Sequence, residues 1–175
     1  ELAGRGTIWY KDQLHYGTLK CVPEAELEKK LKTLGPDVVL GAEGGCTREW
    51  WRGLCKRKGD WTLAKLLMDQ RQISGVGNYL KAESLHVARV SPLVAIKDLS
   101  EERLDAVLDA VLAVTAECYN WKAHRAKIPG HEATVPRFLT KVYGKGLDPG
   151  RNKVVKTKTT DGRTTHWVPS VQTLT

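Results

Sequence analysis

Apolar residues recur at helical spacing through the middle of this chain and at strand-like spacing near both ends. Over residues 7–22, Ile8, Trp9 and Tyr10, then Leu14, Tyr16 and Leu19, predict strand, turn, strand around Lys11-Asp12-Gln13. A hairpin this short needs a larger sheet to join, so sequence upstream of Glu1 is expected to belong with it. Residues 23–34 predict a helix with Pro23 in its first turn, Leu27, Leu31 and Leu34 as its buried stripe, and Gly35 as its stop. Gly41, Gly44 and Gly45 mark a linker. Residues 47–58 predict a helix with Trp50, Trp51, Leu54 and Cys55 on one side and Arg48, Arg52 and Lys56 on the other. Asp60 is placed to cap the next helix, which turns Leu63, Leu66 and Leu67 inward. Ser100 caps a long helix whose stripe is Leu104, Val107, Leu108, Val111, Val114 and Cys118. Residues 122–137 are basic and irregular and read as a surface loop, and Asp161-Gly162 between two β-prone runs predicts a terminal hairpin.

Composition narrows the classes. The 175 residues are 41% hydrophobic and 27% charged, which suits one or two globular domains. No apolar run reaches the length of a bilayer span, so no membrane partner is expected. Cys21, Cys46, Cys55 and Cys118 lack paired metal spacing and are expected to be free thiols in a reducing compartment. His124, His131 and His166 have no ligand-like spacing, and no cofactor or metal is expected. The net charge of +8 is uneven: residues 46–95 hold 9 basic and 4 acidic side chains, residues 96–120 hold 2 and 6, and residues 121–175 hold 11 and 3. Two basic blocks around an acidic helix point to a polyanion gripped between them, with the acidic helix turned away.

Two stretches carry candidate chemistry. In Asp69-Gln70-Arg71-Gln72-Ile73-Ser74-Gly75-Val76-Gly77-Asn78, one helix ends, two tight turns follow, and a second helix begins. Gly75 and Gly77 permit positive φ and a close backbone approach, and amides beside a helix start suit an anion. Asn78 can cap that helix or reach the same anion, with Lys81 one turn on and Arg71 just before. The same residues also serve simply to end one helix and start another. In the terminal hairpin Arg163 follows the turn, with Lys156 and Lys158 on the adjoining strand. Such a tip can grip phosphates or stand as a solvated edge.

Asp-Gln-x-x-Ile-x-Gly-x-Gly-Asn-Tyr, continued by Glu83 and Leu85, resembles the helix–two-turn–helix signature of the formamidopyrimidine-DNA glycosylase and endonuclease VIII family. Residues 8–17 are similar to the family segment Phe-x-Asp-x-Arg-x-Phe-Gly, matching in kind at Tyr10, Asp12, Tyr16 and Gly17, with Leu14 where Arg is common. Leu34-Gly35-Pro36-Asp37 resembles the end of the family's first domain. Val142-Tyr143-Gly144-Lys145 and the run 162–172 resemble its zinc finger, except that the four cysteine positions hold Gly150, Lys153, Val168 and Val171. The resemblance therefore implies a zincless finger, held by strand pairing and by packing of Trp167, Val168 and Val171.

The resemblance implies an α+β fold. Residues 1–40 would be the end of a β-sandwich, 41–130 an all-α helix–two-turn–helix domain, and 131–175 the zincless β-hairpin. It implies that Asn78, the turn amides at Gly75 and Gly77, Lys81 and Arg163 hold phosphates of double-stranded DNA at a damaged or abasic nucleotide. Leu14 and Tyr16 would fill the stack that an extruded base vacates. It also implies the DNA-binding part of a base-excision-repair glycosylase and AP lyase, monomeric and intracellular, in cytoplasm and nucleoid or in the nucleus. The family's nucleophile is an N-terminal proline amine followed by a glutamate. Glu1-Leu2-Ala3-Gly4 does not match that pair, so no catalytic residue is assigned and this chain is expected to leave abasic DNA uncut. A non-catalytic nucleic-acid-binding module of the same helical fold remains the alternative.

Overall fold

The computed structural model describes residues 18–127 and 135–173. Two compact units divide at Lys32 and Thr33. In the first, α1 (Glu24–Leu31) begins after Pro23, with Glu24 and Glu26 in the first turn and Lys29 and Lys30 in the last, each favourable to the helix dipole. Its leucine stripe was expected to be buried. No α1 residue is, and Leu27 and Leu31 stand about half exposed. Leu34 lies beyond the helix and is also exposed. No described element of this unit packs against that stripe.

The second unit is an α+β arrangement of helices and one small antiparallel hairpin, as expected. The glycine-rich segment 41–46, expected as a linker, is folded into turns. The Cys46 amide donates to Gly41 O (2.9 Å), and Cys46 is buried. α2 (Arg48–Arg57) starts at Thr47, whose hydroxyl accepts from the Trp50 amide. Trp51 and Leu54 enter the core, where Trp51 Nε1 donates to Leu104 O (2.8 Å). α3 (Leu63–Met68) is capped by Thr62, whose hydroxyl accepts from the Lys65 amide. Asp60, two residues too early for that role, instead accepts from Lys97 (2.8 Å).

α4 (Asn78–Val87) is the centre of the unit, with every residue from Leu80 to Leu85 buried. Helices α3 and α5 and the hairpin all contact it. A short 3-10 helix (Ile96–Asp98) leads into α5 (Glu101–Arg125), which Ser100 caps as predicted through the Arg103 amide. The predicted stripe from Leu104 to Cys118 is buried. The helix continues through Lys122 and Arg125, residues expected to lie in a loop, because nothing before Ala126 breaks it. Strands β1 (Val155–Lys158) and β2 (Thr164–Trp167) pair antiparallel, with Lys156 opposite His166 and Lys158 opposite Thr164. Among the described residues no helix is long and apolar enough to cross a membrane.

The charge blocks resolve differently in space. Arg48 and Arg52, counted with the first basic block, pair with the acidic face of α5. Arg52 Nη2 lies 2.6 Å and Arg48 Nη1 3.2 Å from Asp105 Oδ2. The Arg52 hydrogen bond holds the Asp105 carboxyl below the usual carboxylate range, against the opposing effect of its burial. Because the folded-state value is depressed, the pair's stabilisation is complete above the ordinary aspartate range near about 4 and is lost as pH falls through the folded value. Asp105→Asn should therefore destabilise the chain by about 1–2 kcal/mol at neutral pH, the low end for charged hydrogen bonds because both guanidiniums stay half exposed. Urea melts at neutral and acid pH check this, with the gap between parent and variant closing in acid.

Candidate nucleic-acid interface

Residues 69–78 form the two turns, and Gln70 shapes them. Its Nε2 donates to Val76 O (2.8 Å), and its Oε1 accepts from the Gly75 amide (3.0 Å). One side-chain amide thus satisfies a donor and an acceptor that the turn leaves unpaired. The outer side is pinned by strand-like bonds: Gly35 N to Gln70 O, Ser74 N to Pro36 O, and Val38 N to Ser74 O. Gly75 has φ +90°, and a Cβ there would lie 2.9 Å from Val38 Cγ2. Gly77 differs from expectation. Its φ is −106°, open to any residue, and a Cβ there would meet nothing within 4 Å. The chain's own packing and dihedrals therefore do not require glycine at 77.

Gly77 is the N-cap of α4, and no side chain caps that helix. The first amides of α4 lack intrahelical acceptors and carry the positive end of the helix dipole. Asn78 lies within the first turn, and its Nδ2 donates to Thr164 O on β2 (3.0 Å). Its Oδ1 is buried with no partner. One amide N–H of Asn78 is therefore spent on the hairpin. That bond ties the hairpin to the first turn of α4 at the residue that follows Arg163.

The hairpin tip is a three-residue loop. The Thr159 amide donates to Arg163 O (2.9 Å), the Gly162 amide donates to Thr159 O (2.9 Å), and Gly162 is left-handed at φ +79°. Arg163, Lys156 and Lys158 are exposed. Among the described residues Arg163 forms no ion pair. A hollow of about 340 Å³ beside it is lined by Trp61, Lys65, Met68, Asp69, Thr160, Asp161 and Arg163.

Lys81 departs from expectation. Its side chain has no solvent exposure, and its Nζ lies 2.7 Å from Asp161 Oδ2, itself 4% exposed. Burial pushes its pKa down, and Asp161 opposes that shift. An ammonium enclosed in this way does not face a phosphate; it fastens the tip of the hairpin. Leu14 and Tyr16 lie outside the described residues.

Sequence reasoning named Gln70 and Glu83 as motif letters and missed what they hold. Glu83 is buried, and its carboxylate accepts from the amides of Lys141 (2.6 Å), Val142 (3.0 Å) and Tyr143 (2.8 Å). The signal was present: a helix enclosed on all sides that carries Lys and Glu must pair both. Of the four positions that stand where the resemblance has cysteines, Val168 and Val171 pack in an apolar cluster, while Gly150 and Lys153 are exposed. Val168 is fully buried with Ala82, Val142 and Val154, with Val171 and Tyr143 against them. Trp167 acts differently, its Nε1 donating to Thr157 Oγ1 (2.9 Å). Among the described residues no three His, Cys, Asp or Glu side chains are grouped to hold a metal.

The pattern described as formamidopyrimidine-DNA glycosylase H2TH domain matches residues 34–128, and the chain belongs to that family. The formamidopyrimidine-DNA glycosylase of Arabidopsis thaliana is 30% identical over 94% of this chain and 40% of its own length. That of Thermus thermophilus is 32% identical over 98% and 66%, and endonuclease 8 1 of Mycobacterium tuberculosis 28% over 87% and 58%. The chain thus spans less than two thirds of these relatives. The crystal structure of MutM (Fpg) from Thermus thermophilus covers 85% of this chain with TM-score 0.62 and 27% identity, over 57% of that chain. Lactococcus lactis Fpg bound to DNA containing an AP site covers 85% with TM-score 0.65, over 54% of that chain; at 19% identity it shows the shared fold alone.

The two turn glycines should separate in a stability measurement. Gly75→Ala should cost about 2 kcal/mol or more, from left-handed strain and the close Val38 contact. Gly77→Ala should cost less than about 1 kcal/mol, the difference between two N-cap residues. Thermal or urea melts of both variants check this.

Proposed function

We propose that this chain is the DNA-binding part of a base-excision-repair DNA glycosylase and AP lyase acting on oxidised bases and abasic sites. Its partner is double-stranded DNA at a damaged or abasic nucleotide. The observation that carries this reading is the Asn78–Thr164 bond. It ties the hairpin, one residue past the exposed Arg163, to the first turn of α4, whose start is uncapped. Backbone amides at a helix N-terminus and a guanidinium are complementary to phosphate oxygens. The amides from Gly77 onward, the free N–H of Asn78, and Arg163 are the proposed phosphate contacts, with Lys156 and Lys158 adding field. Glycine at 77, unexplained by the chain's own conformation, leaves room for that backbone to approach. Leu14 and Tyr16 are proposed, on the family resemblance, to occupy the vacated stack. On the family resemblance the module is proposed to act as a monomer inside the cell.

Contacts of this kind act on the backbone and not on base identity. Arg163→Ala should weaken binding to an abasic-analogue duplex by about 1.5–3 kcal/mol and reduce the salt slope by roughly one unit. Asn78→Ala should weaken binding with little change in slope, since it removes no charge. Lys29→Ala on α1 is the control. Titrations at two salt concentrations check this, and unchanged affinity for Arg163→Ala at both salts contradicts it.

A further inference from the structure

We propose that Lys81 and Asp161 are positioning residues for DNA binding: their buried ion pair sets the hairpin tip against α4 so that Arg163 faces the phosphates. This rests on the DNA-binding reading above.

The geometry forms a continuous chain of bonds. Lys81 Nζ meets Asp161 Oδ2 at 2.7 Å with both side chains enclosed. The other Asp161 oxygen accepts from the Thr159 hydroxyl. The Thr159 amide donates to Arg163 O (2.9 Å), and the Thr159 hydroxyl accepts from Thr165 Oγ1 (2.9 Å). The charge on α4 is thus linked through two side chains to the backbone of the arginine that would grip DNA. Two flanking bonds fix the same tip from either side: Thr62 Oγ1 to Thr160 Oγ1 (2.7 Å) and Asn78 Nδ2 to Thr164 O (3.0 Å).

Stability alone is a poor reason to place a lysine there. A buried ion pair is often matched or exceeded by well-packed apolar residues, because both charges must leave water. What the pair supplies is direction, since its hydrogen bonds hold only when the tip is seated in one place. A two-stranded hairpin is marginal by itself, so its seat on α4 decides where it points. Lys81 also lies close enough to Arg163 for the guanidinium to oppose its charge.

The test replaces the pair by apolar residues in the full chain, Lys81→Met with Asp161→Leu, with and without Arg163→Ala. Affinity for an abasic-analogue duplex is measured at two salt concentrations, alongside thermal melts. The expected result is a folded variant that binds about as weakly as Arg163→Ala, roughly ten- to a hundredfold below the parent, with a salt slope smaller by roughly one unit. Adding Arg163→Ala should then cost little more, because its contribution is already lost. Lys81→Arg, which keeps the charge and its hydrogen bonds, should bind like the parent. If the apolar pair does not fold, Asp161→Asn, which keeps shape and removes charge, carries the same comparison. Parent-like affinity in the paired variant overturns the proposal. So does weakened binding in which Arg163→Ala still has its full effect, a result that leaves the DNA-binding reading intact. If Arg163→Ala is silent in the parent background, both readings fall.

Discussion

The arrangement depends on the burial of two opposite charges in one helix. α4 is enclosed from Leu80 to Leu85, so Lys81 and Glu83 have no water to turn to. An enclosed charge must find a partner or be neutralised. Lys81 finds Asp161 at the hairpin tip, and Glu83 finds three backbone amides of the segment 141–143. Both sequence-distant segments that build the finger are thus fastened to α4 by a buried charge. The apolar cluster of Ala82, Val142, Val154 and Val168 fills the space between those fastenings.

Much of the helical frame was legible in the sequence because helix caps and apolar stripes are local signals. Ser100 and the stripe of α5 are where pattern and propensity placed them. The cap of α3 shows the limit: Asp60 and Thr62 both suit the role, and the bond between Lys97 and Asp60 accompanies the choice of Thr62. The exposed leucines of α1 mark the opposite error, since a stripe shows what a helix can bury and not what lies against it. The C-terminal extent of α5 was missed because Lys122, His124 and Arg125 look like loop by composition, although basic residues suit a helix's last turn.

The site was legible in its letters and less so in its roles. Charge read along the chain suggested two basic blocks facing DNA. In space, Arg48 and Arg52 are committed to Asp105, Asp109 and Glu101, and Lys81 is committed to Asp161. Arg163 remains exposed, and the start of α4 remains uncapped. Gly75 and Gly77 looked equivalent as letters, yet only Gly75 is left-handed. Such distinctions depend on which groups meet across long stretches of sequence, as the Asn78 side chain and the Thr164 carbonyl do 86 positions apart, and no local pattern carries them.

In the proposed function, the start of α4 and the hairpin tip form one phosphate-binding face. The most direct measurement is an amide NMR titration of the labelled chain with a short duplex carrying an abasic analogue. Gly77, Asn78, Tyr79 and Leu80 should shift together with Thr160, Gly162, Arg163 and Thr164, along one binding curve, while Asp105 and Asp109 on α5 stay in place. Shifts concentrated on α5 and its paired arginines, or on the hairpin tip with α4 unmoved, would contradict it.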